Sequence, residues 1–334
     1  MHYWDLYNVG KQVGKGGMAH VYKATKKNSN DKKTYALKLI KNSTNSSDNF
    51  TFSQRFFNEV SSHRLVNSPY VCKYIESSLD YQDKLRDGSK FLLVEFIDGT
   101  ILSDKIKKMG RITERQAVDI TIKLCHGFSE LHRNDIIHRD IKSSNIMIDK
   151  YNNPKIIDLG ISLRKDSSRV TKVNYVIGSP SWLAPELVSG GAASIQSDIY
   201  SLGLLLYEMV TGKLPFKSNT NNNSEIINKI KNQPIPFIKK QIPSASNGLV
   251  NVIFRATAKN PRARYNSMLE FAKDLQTCLN DKRVNETLLN PNNLKPKKNA
   301  TSIITSLWFI AGSVIFIIAI LITIIGVMIW KLGV

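Results

Sequence analysis

The chain has 334 residues, 42% hydrophobic and 22% charged, with 47 Lys and Arg against 27 Asp and Glu, for a formal net charge of +20. That length suits one large domain, or two lobes around a cleft, plus a short extra element. Lys and Asn are spread in runs such as Asn219 to Asn223 with no RNA- or DNA-binding signature, which excludes nucleic acid as the reading of the charge, and three isolated cysteines without CxxC spacing exclude a disulfide framework or zinc site.

The amino terminus, MHYWDLYNVG, lacks the basic start and apolar stretch of a signal peptide. Tyr7 to Val13 and Ala19 to Lys26 are expected as strands joined by a glycine turn, and Lys33 to Ile40 as a third strand before a Ser/Asn-rich loop. Phe50 to Asn67 has helical spacing, with Phe56, Val60 and Arg64 on one side and Glu59 beside them. Phe91 to Phe96 is a short apolar strand ending at Asp98-Gly99, which predicts a lobe boundary: a mostly β lobe over 7–97 and a helical lobe over 98–280.

In the second lobe Arg115 to Arg133 carries Val118, Ile122, Cys125, Phe128 and Leu131 at turns of three or four, and Ile199 to Thr211 suits a fully buried helix. Glu225 to Lys231 and Leu249 to Ala258 are shorter helices, and Ser267 to Leu279 closes the globular part. Residues 281–301 are polar, hold Pro291 and Pro296, and are expected to form a basic juxtamembrane linker. From Asn299 to Trp330 there is no charged residue, and Ile303 to Ile329 is almost continuously apolar, so 302–330 is expected as one transmembrane helix with Trp308 and Trp330 at the interfaces. Lys295, Lys297 and Lys298 precede it, which places the large domain in the cytoplasm at a cell membrane and leaves 331–334 as an extracytoplasmic tail.

Three groups of residues carry chemistry. VGKGGMAHV, from Val13 to Val21, sets Gly14 and Gly16 in a turn between strands, where backbone amides can approach polyphosphate; alone it reads better as a plain β-turn. Lys38, in Tyr35-Ala36-Leu37-Lys38, stands on a strand before the helix that carries Glu59, a carboxylate able to fix it. HRDIKSSN, from His138 to Asn145, followed by Asp158-Leu159-Gly160, supplies a carboxylate for a hydroxyl proton, a lysine for a phosphate, and an Asn and an Asp for a metal.

At these residues the sequence resembles the protein-kinase family, and Lys142, two residues after Asp140, points to its Ser/Thr branch. The GGM portion and the terminal span are most similar to bacterial eukaryotic-like (Hanks-type), membrane-anchored Ser/Thr kinases of the PASTA-kinase group, without the extracellular modules. The resemblance covers 7–280 and implies an α+β, bilobal protein-kinase fold that transfers the γ-phosphoryl group of ATP to protein Ser and Thr hydroxyls. It implies Asp140 and Lys142 as catalytic residues, and Asn145 and Asp158 as ligands of Mg²⁺, with Mn²⁺ as an alternative. It further implies a nucleotide site formed by Val13, Gly14, Lys15, Gly16, Gly17, Val21, Ala36, Lys38, Glu59, Glu95, Ile97 and Met147, with Val94 at its back.

The same resemblance implies that Glu186, of Ala184-Pro185-Glu186, and Arg264 form a buried ion pair, and that Asp198 holds the catalytic-loop backbone. His138 reads as a packed structural histidine. Arg139 is expected to bind a phosphorylated activation loop, with Thr171 and Ser167 or Ser168 as autophosphorylation sites, and Ser179 to hydrogen-bond Asp140 and Lys142. Membrane confinement raises local concentration and favours homodimeric encounters for trans-autophosphorylation. The competing readings are a membrane-tethered pseudokinase scaffold, disfavoured by retention of Lys38, Asp140, Asn145 and Asp158, and a small-molecule phosphotransferase, disfavoured by the Ala184-Pro185-Glu186 segment.

Overall fold

A computed structural model describes residues 2–17, 19–29, 32–41, 46–81, 85, 88–159, 163–164, 180–216, 223–294 and 307–332, which divide into two units, 1–294 and 295–334. The first unit opens with a short helix, α1 (Tyr3–Leu6), and then β1 (Tyr7–Lys15), β2 (Ala19–Lys26) and β3 (Tyr35–Ile40). After them come α2 (Ser46–Leu65), β4 (Tyr74–Ser77) and β5 (Phe91–Glu95). The five strands form one antiparallel sheet in the order β1-β2-β3-β5-β4.

Alternation along β3 assigns its two faces. Leu37 packs with Tyr7, Phe91 and Leu93 on one side, where Leu39 joins them, whereas Ile40 faces Phe56 and Val60 of α2 on the other. Lys38 shares that second face and reaches α2. Arg64, expected beside Glu59, instead lies at the surface and pairs with Asp80 and Tyr74.

The helical lobe begins with β6 (Gly99–Ile101) and α3 (Leu102–Met109). It continues with α4 (Glu114–Arg133), β7 (Ile136–Ile137), β8 (Ile146–Asp149), β9 (Pro154–Ile156) and β10 (Leu163–Arg164). Strands β6, β8 and β9 make a small antiparallel sheet, and β7 pairs with β10. Next come α5 (Pro185–Val188), α6 (Ile195–Thr211), α7 (Asn223–Asn232), α8 (Asn247–Ala256), α9 (Met268–Leu275) and α10 (Asp281–Val284).

Helix α4 starts where the Thr113 hydroxyl accepts the Gln116 N–H, and it buries Leu124, Phe128 and Leu131 on one stripe. Helix α6 starts at a Ser194 capping box, is buried almost all round, and ends at Gly212 in a left-handed conformation. A Cβ at Gly212 would stand 1.9 Å from the Gly110 carbonyl oxygen, so only glycine fits there.

The lobe does not end at residue 280. Residues 281–294, expected as linker, are docked on it: Leu288, Leu289 and Leu294 pack against the main core, and the Asn251 amide donates to Glu286 Oε1 (2.8 Å) and the Thr287 carbonyl (2.9 Å) while accepting the Leu289 N–H (2.8 Å). Polar composition hid this because asparagine side chains, not apolar periodicity, hold the backbone.

The second unit contains α11 (Leu307–Leu332), 26 residues long, in which Lys331 is the one charged residue. Its side chains are described over 311–327, and among the described residues no helix is long and apolar enough to cross a membrane.

Candidate active site

Lys38 is fixed by strand pairing on both sides, opposite Val21 of β2 and Leu92 of β5. Its Nζ lies 2.6 Å from Glu59 Oε1 and 3.2 Å from Asp158 Oδ1, so a strand, a helix and the segment after β9 meet at one ammonium. For Lys38 burial acts downward, but the carboxylates of Asp158 and Glu59 outweigh it and hold the ammonium above its ordinary range. Burial pushes the Glu59 carboxyl up to about 7, against the opposing pull of Lys38.

The catalytic-loop residues form a second cluster. Lys142 Nζ stands 2.7 Å from Asp140 Oδ2, and the Asn145 amide donates to both the Asp140 carbonyl and Oδ2, each at 2.9 Å. With Nδ2 turned toward Asp140, the Asn145 Oδ1 is turned the other way, as a metal ligand would need. The clusters are tied together: Ile157 N–H donates to the Asn145 carbonyl (3.0 Å), and His138 Nε2 lies 2.8 Å from the Asp158 carbonyl. His138 Nδ1 accepts the Asp140 N–H at 3.3 Å, which assigns the proton to Nε2 and makes it the donor to Asp158. His138 is thus structural, buried edge-on to Phe128.

Arg139 adopts φ 68°, a left-handed backbone unusual for a non-glycine residue and costing about 1–3 kcal/mol. Asp198, 1% exposed, holds it there by accepting the N–H of His138 and of Arg139, each at 2.9 Å. His132 Nε2, also at 2.9 Å, completes the set, a partner that sequence reading missed. Burial acts to raise the Asp198 carboxyl, but His132 and the other donors hold it below the ordinary range.

The expected ion pair is bidentate: Arg264 donates to both oxygens of Glu186, at 2.7 and 2.8 Å, and its other N–H groups reach the carbonyls of Ala258, Gln196 and Lys259.

The remaining residues expected at a nucleotide site lie on paired strands and at the hairpin tip. Gly14 pairs with Val21, Lys15 with His20, and Ala36 with Val94; Met147 lies on β8 opposite Lys155. Val13, Lys15, Gly16 and Gly17 are exposed at the tip of the β1–β2 hairpin, closed by Gly16 N–H to the Ala19 carbonyl (2.9 Å). Glu95 donates its N–H to the Lys73 carbonyl (2.9 Å), and its own carbonyl takes the Cys72 thiol at 3.6 Å, which leaves that oxygen a second lone pair for a ligand; Ile97 N–H has no acceptor among the described residues. The Glu95 carboxylate was not legible as a clamp, yet it takes Lys155 Nζ at 2.6 Å and the Lys73 N–H at 2.9 Å, linking the two lobes beside the cleft.

Among the activation-loop positions, Ser162, Ser167, Ser168, Thr171 and Ser179 lie outside the described residues, while Ser181 is buried in the turn Pro180–Trp182. The Arg139 Nε is buried without a hydrogen-bond partner among the described residues.

A two-lobed scaffold with a strand lysine paired to a helix glutamate, above a loop carrying Asp, Lys and Asn, defines a nucleotide-dependent phosphotransferase class. The match to the protein kinase domain over residues 7–280 shows that the chain belongs to the protein kinase family. It is 31% identical over 280 residues to the serine/threonine-protein kinase PrkC of Bacillus subtilis, covering 84% of this chain and 41% of that protein. It is also 31% identical over 281 residues to the serine/threonine-protein kinase PknB of Mycobacterium tuberculosis (82% and 43%) and 28% identical over 288 residues to the probable serine/threonine-protein kinase PknB of Lactococcus lactis (85% and 44%). The chain thus spans about two fifths of the length of the curated relatives it matches.

Proposed function

We propose that this chain is a Ser/Thr protein kinase that transfers the γ-phosphoryl group of ATP to hydroxyls of protein substrates. The observation that carries the reading is the meeting of Lys38, Glu59 and Asp158 with Asp140, Lys142 and Asn145 in one cleft. Asp140, held by Lys142 and Asn145, orients the acceptor hydroxyl and takes its proton as the new O–P bond forms and the bond from the γ phosphorus to the bridging oxygen breaks, releasing ADP. Lys142 faces the negative charge of the phosphoryl group in transit, and Lys38, fixed by Glu59, meets the α and β phosphates.

Asp158 and Asn145 are the hard oxygen donors that would hold Mg²⁺ or Mn²⁺, together with phosphate oxygens and water. No group of three or more His, Cys, Asp or Glu able to hold a metal occurs among the described residues, in keeping with a site in which the protein supplies only two ligands. The bound ion supplies charge neutralisation on the phosphates. The Glu95 carbonyl and the Ile97 N–H serve adenine, between Val13, Val21 and Ala36 on one side and Met147 on the other.

The Arg139 Nε, buried and without a partner among the described residues, supports phosphorylation of the activation loop, at Thr171 with Ser167 or Ser168, by a second copy of the chain. Membrane attachment is supported by the sequence itself, in which the run Asn299 to Trp330 is uncharged and Ile303 to Ile329 almost continuously apolar. The basic flank then places the kinase domain in the cytoplasm.

The test is incubation with radiolabelled ATP and Mg²⁺, comparing wild type with Asp140→Asn. Label on Ser and Thr that the variant lacks supports the reading; no label from folded, ATP-binding wild type overturns it. Carbonate extraction of membranes checks the anchor, which is refuted if the chain washes off.

A further inference from the structure

Lys41, one residue beyond β3, makes two hydrogen bonds that the chemistry above does not use: its Nζ donates to the carbonyls of Gly16 (2.7 Å) and Gly17 (3.0 Å). These carbonyls belong to the tip of the β1–β2 hairpin, whose glycines have no side chains to anchor them; a Cβ at Gly17 would meet nothing within 4 Å. An ammonium that bridges consecutive carbonyls through charge-assisted bonds fixes the peptide planes of a turn that is otherwise free to rotate.

From this geometry we propose that Lys41 is a positioning residue that aims the Gly17 amide of the glycine turn at the phosphates of the nucleotide. In a trans peptide the C=O and the following N–H point in opposite directions, so holding the Gly16 carbonyl toward Lys41 sends the Gly17 N–H the other way. Alternation on β3 says which way that is. Leu37 and Leu39 pack on the face with Tyr7 and Phe91, and Lys41 follows them in parity, whereas Lys38 lies on the opposite, cleft-facing side with Glu59 and Asp158. Pinned from the outer face, the turn presents the Gly17 N–H to the side where Lys38 waits. A turn set before the ligand arrives loses less conformational freedom on binding.

The inference rests on the kinase reading, and the experiment separates the two. Full-length wild type, Lys41→Met and Lys41→Arg in detergent are titrated with ADP and with adenosine, which lacks phosphates, and hydrogen exchange of the Gly17 amide is followed without nucleotide. Losing a pair of charge-assisted bonds should weaken ADP by about tenfold in Lys41→Met, leave adenosine within about twofold, and speed Gly17 exchange. Lys41→Arg should recover most of the ADP affinity. Equal ADP affinity in Lys41→Met, equal losses for ADP and adenosine, or unchanged Gly17 exchange overturns the proposal alone. A wild type that binds neither nucleotide nor adenosine overturns the kinase reading and this inference with it.

Discussion

His63 is a buried weak point whose effect on stability can be worked out. It lies one turn beyond Glu59 on α2, is 2% exposed, and has a hydrogen-bond partner on neither ring nitrogen among the described residues. Burial first, and the Lys38 ammonium second, push its pKa from 6.5 down to about 4, against a smaller opposing pull from Asp158 and the Cys72 backbone. A histidine depressed in the folded state stays neutral there while the unfolded chain takes up a proton. Stability is therefore intact above pH 6.5 and falls as the pH drops from 6.5 toward 4. At pH 5 nearly all unfolded chains and about a tenth of folded ones carry that proton, a difference worth about 2 kcal/mol. His63→Leu removes this loss. We expect the melting temperature of wild type to fall by about 4–8 °C more than that of His63→Leu between pH 7.5 and 5, followed by circular dichroism. At pH 7.5 the variant should be no less stable, since replacing unsatisfied buried polar atoms by carbon is neutral or favourable. Parallel pH profiles for the two proteins would refute the assignment of a neutral, unpartnered His63.

Arg264→Met takes the guanidinium donors from three carbonyls and from the partly buried Glu186 carboxylate, leaving the latter the Ser197 hydroxyl, and should cost about 3–5 kcal/mol in urea unfolding; a loss below about 1 kcal/mol would contradict the burial of the pair. Because Arg264 holds the Glu186 carboxyl below its ordinary 4.5 despite burial, the pair's contribution is present above that pH and lost as pH falls through the lowered value, and Arg264→Met should flatten acid unfolding there. Asn251→Ala removes three hydrogen bonds to residues 286–289 and should expose 281–294 to limited proteolysis at a stability cost of about 1–3 kcal/mol; unchanged cleavage would show that apolar packing alone holds the segment. Asp198→Asn keeps one acceptor oxygen but turns a donor toward a backbone N–H, so kcat should fall about 100-fold while ADP affinity holds; an unchanged kcat would mean that the Arg139 backbone keeps its geometry unaided.

The legible parts of the site were those in which chemistry and local sequence coincide. Lys38 and Glu59 could be paired because a strand with alternating residues and a helix follow each other directly, and Asp140, Lys142 and Asn145 fall within one short loop. What stayed hidden depends on contacts distant in sequence or on short elements. Strands β6 to β9 have two to four residues, too few for alternation to show, and α3 sits in a stretch with only Leu102 and Ile106 buried. Nothing in the local sequence singles out His132, Lys155 or Asn251, yet each fixes a residue at least 35 positions away: Asp198, Glu95 and Glu286.

One of those hidden partners, His132, ties the core of the helical lobe to the site. His132 on α4 meets Asp198 on α6; Asp198 holds the backbone on both sides of the His138–Arg139 peptide; and His138 reaches the carbonyl of Asp158. A line of hydrogen bonds therefore runs from two of the most deeply buried helices to the His138–Asn145 loop and the backbone of Asp158, so the relative placement of Asp140 and Asp158 is set by the core of the helical lobe. The upper half of the site is set differently, by strand register at Lys38 and by a single salt bridge to α2. The lower half is preorganised by packing that costs several kcal/mol to disturb, whereas the upper half depends on contacts that a moderate shift of α2 would undo. Control of this cleft is accordingly expected at α2 and the glycine turn, and the rigid Asp140 cluster is the part of the site that regulation leaves in place.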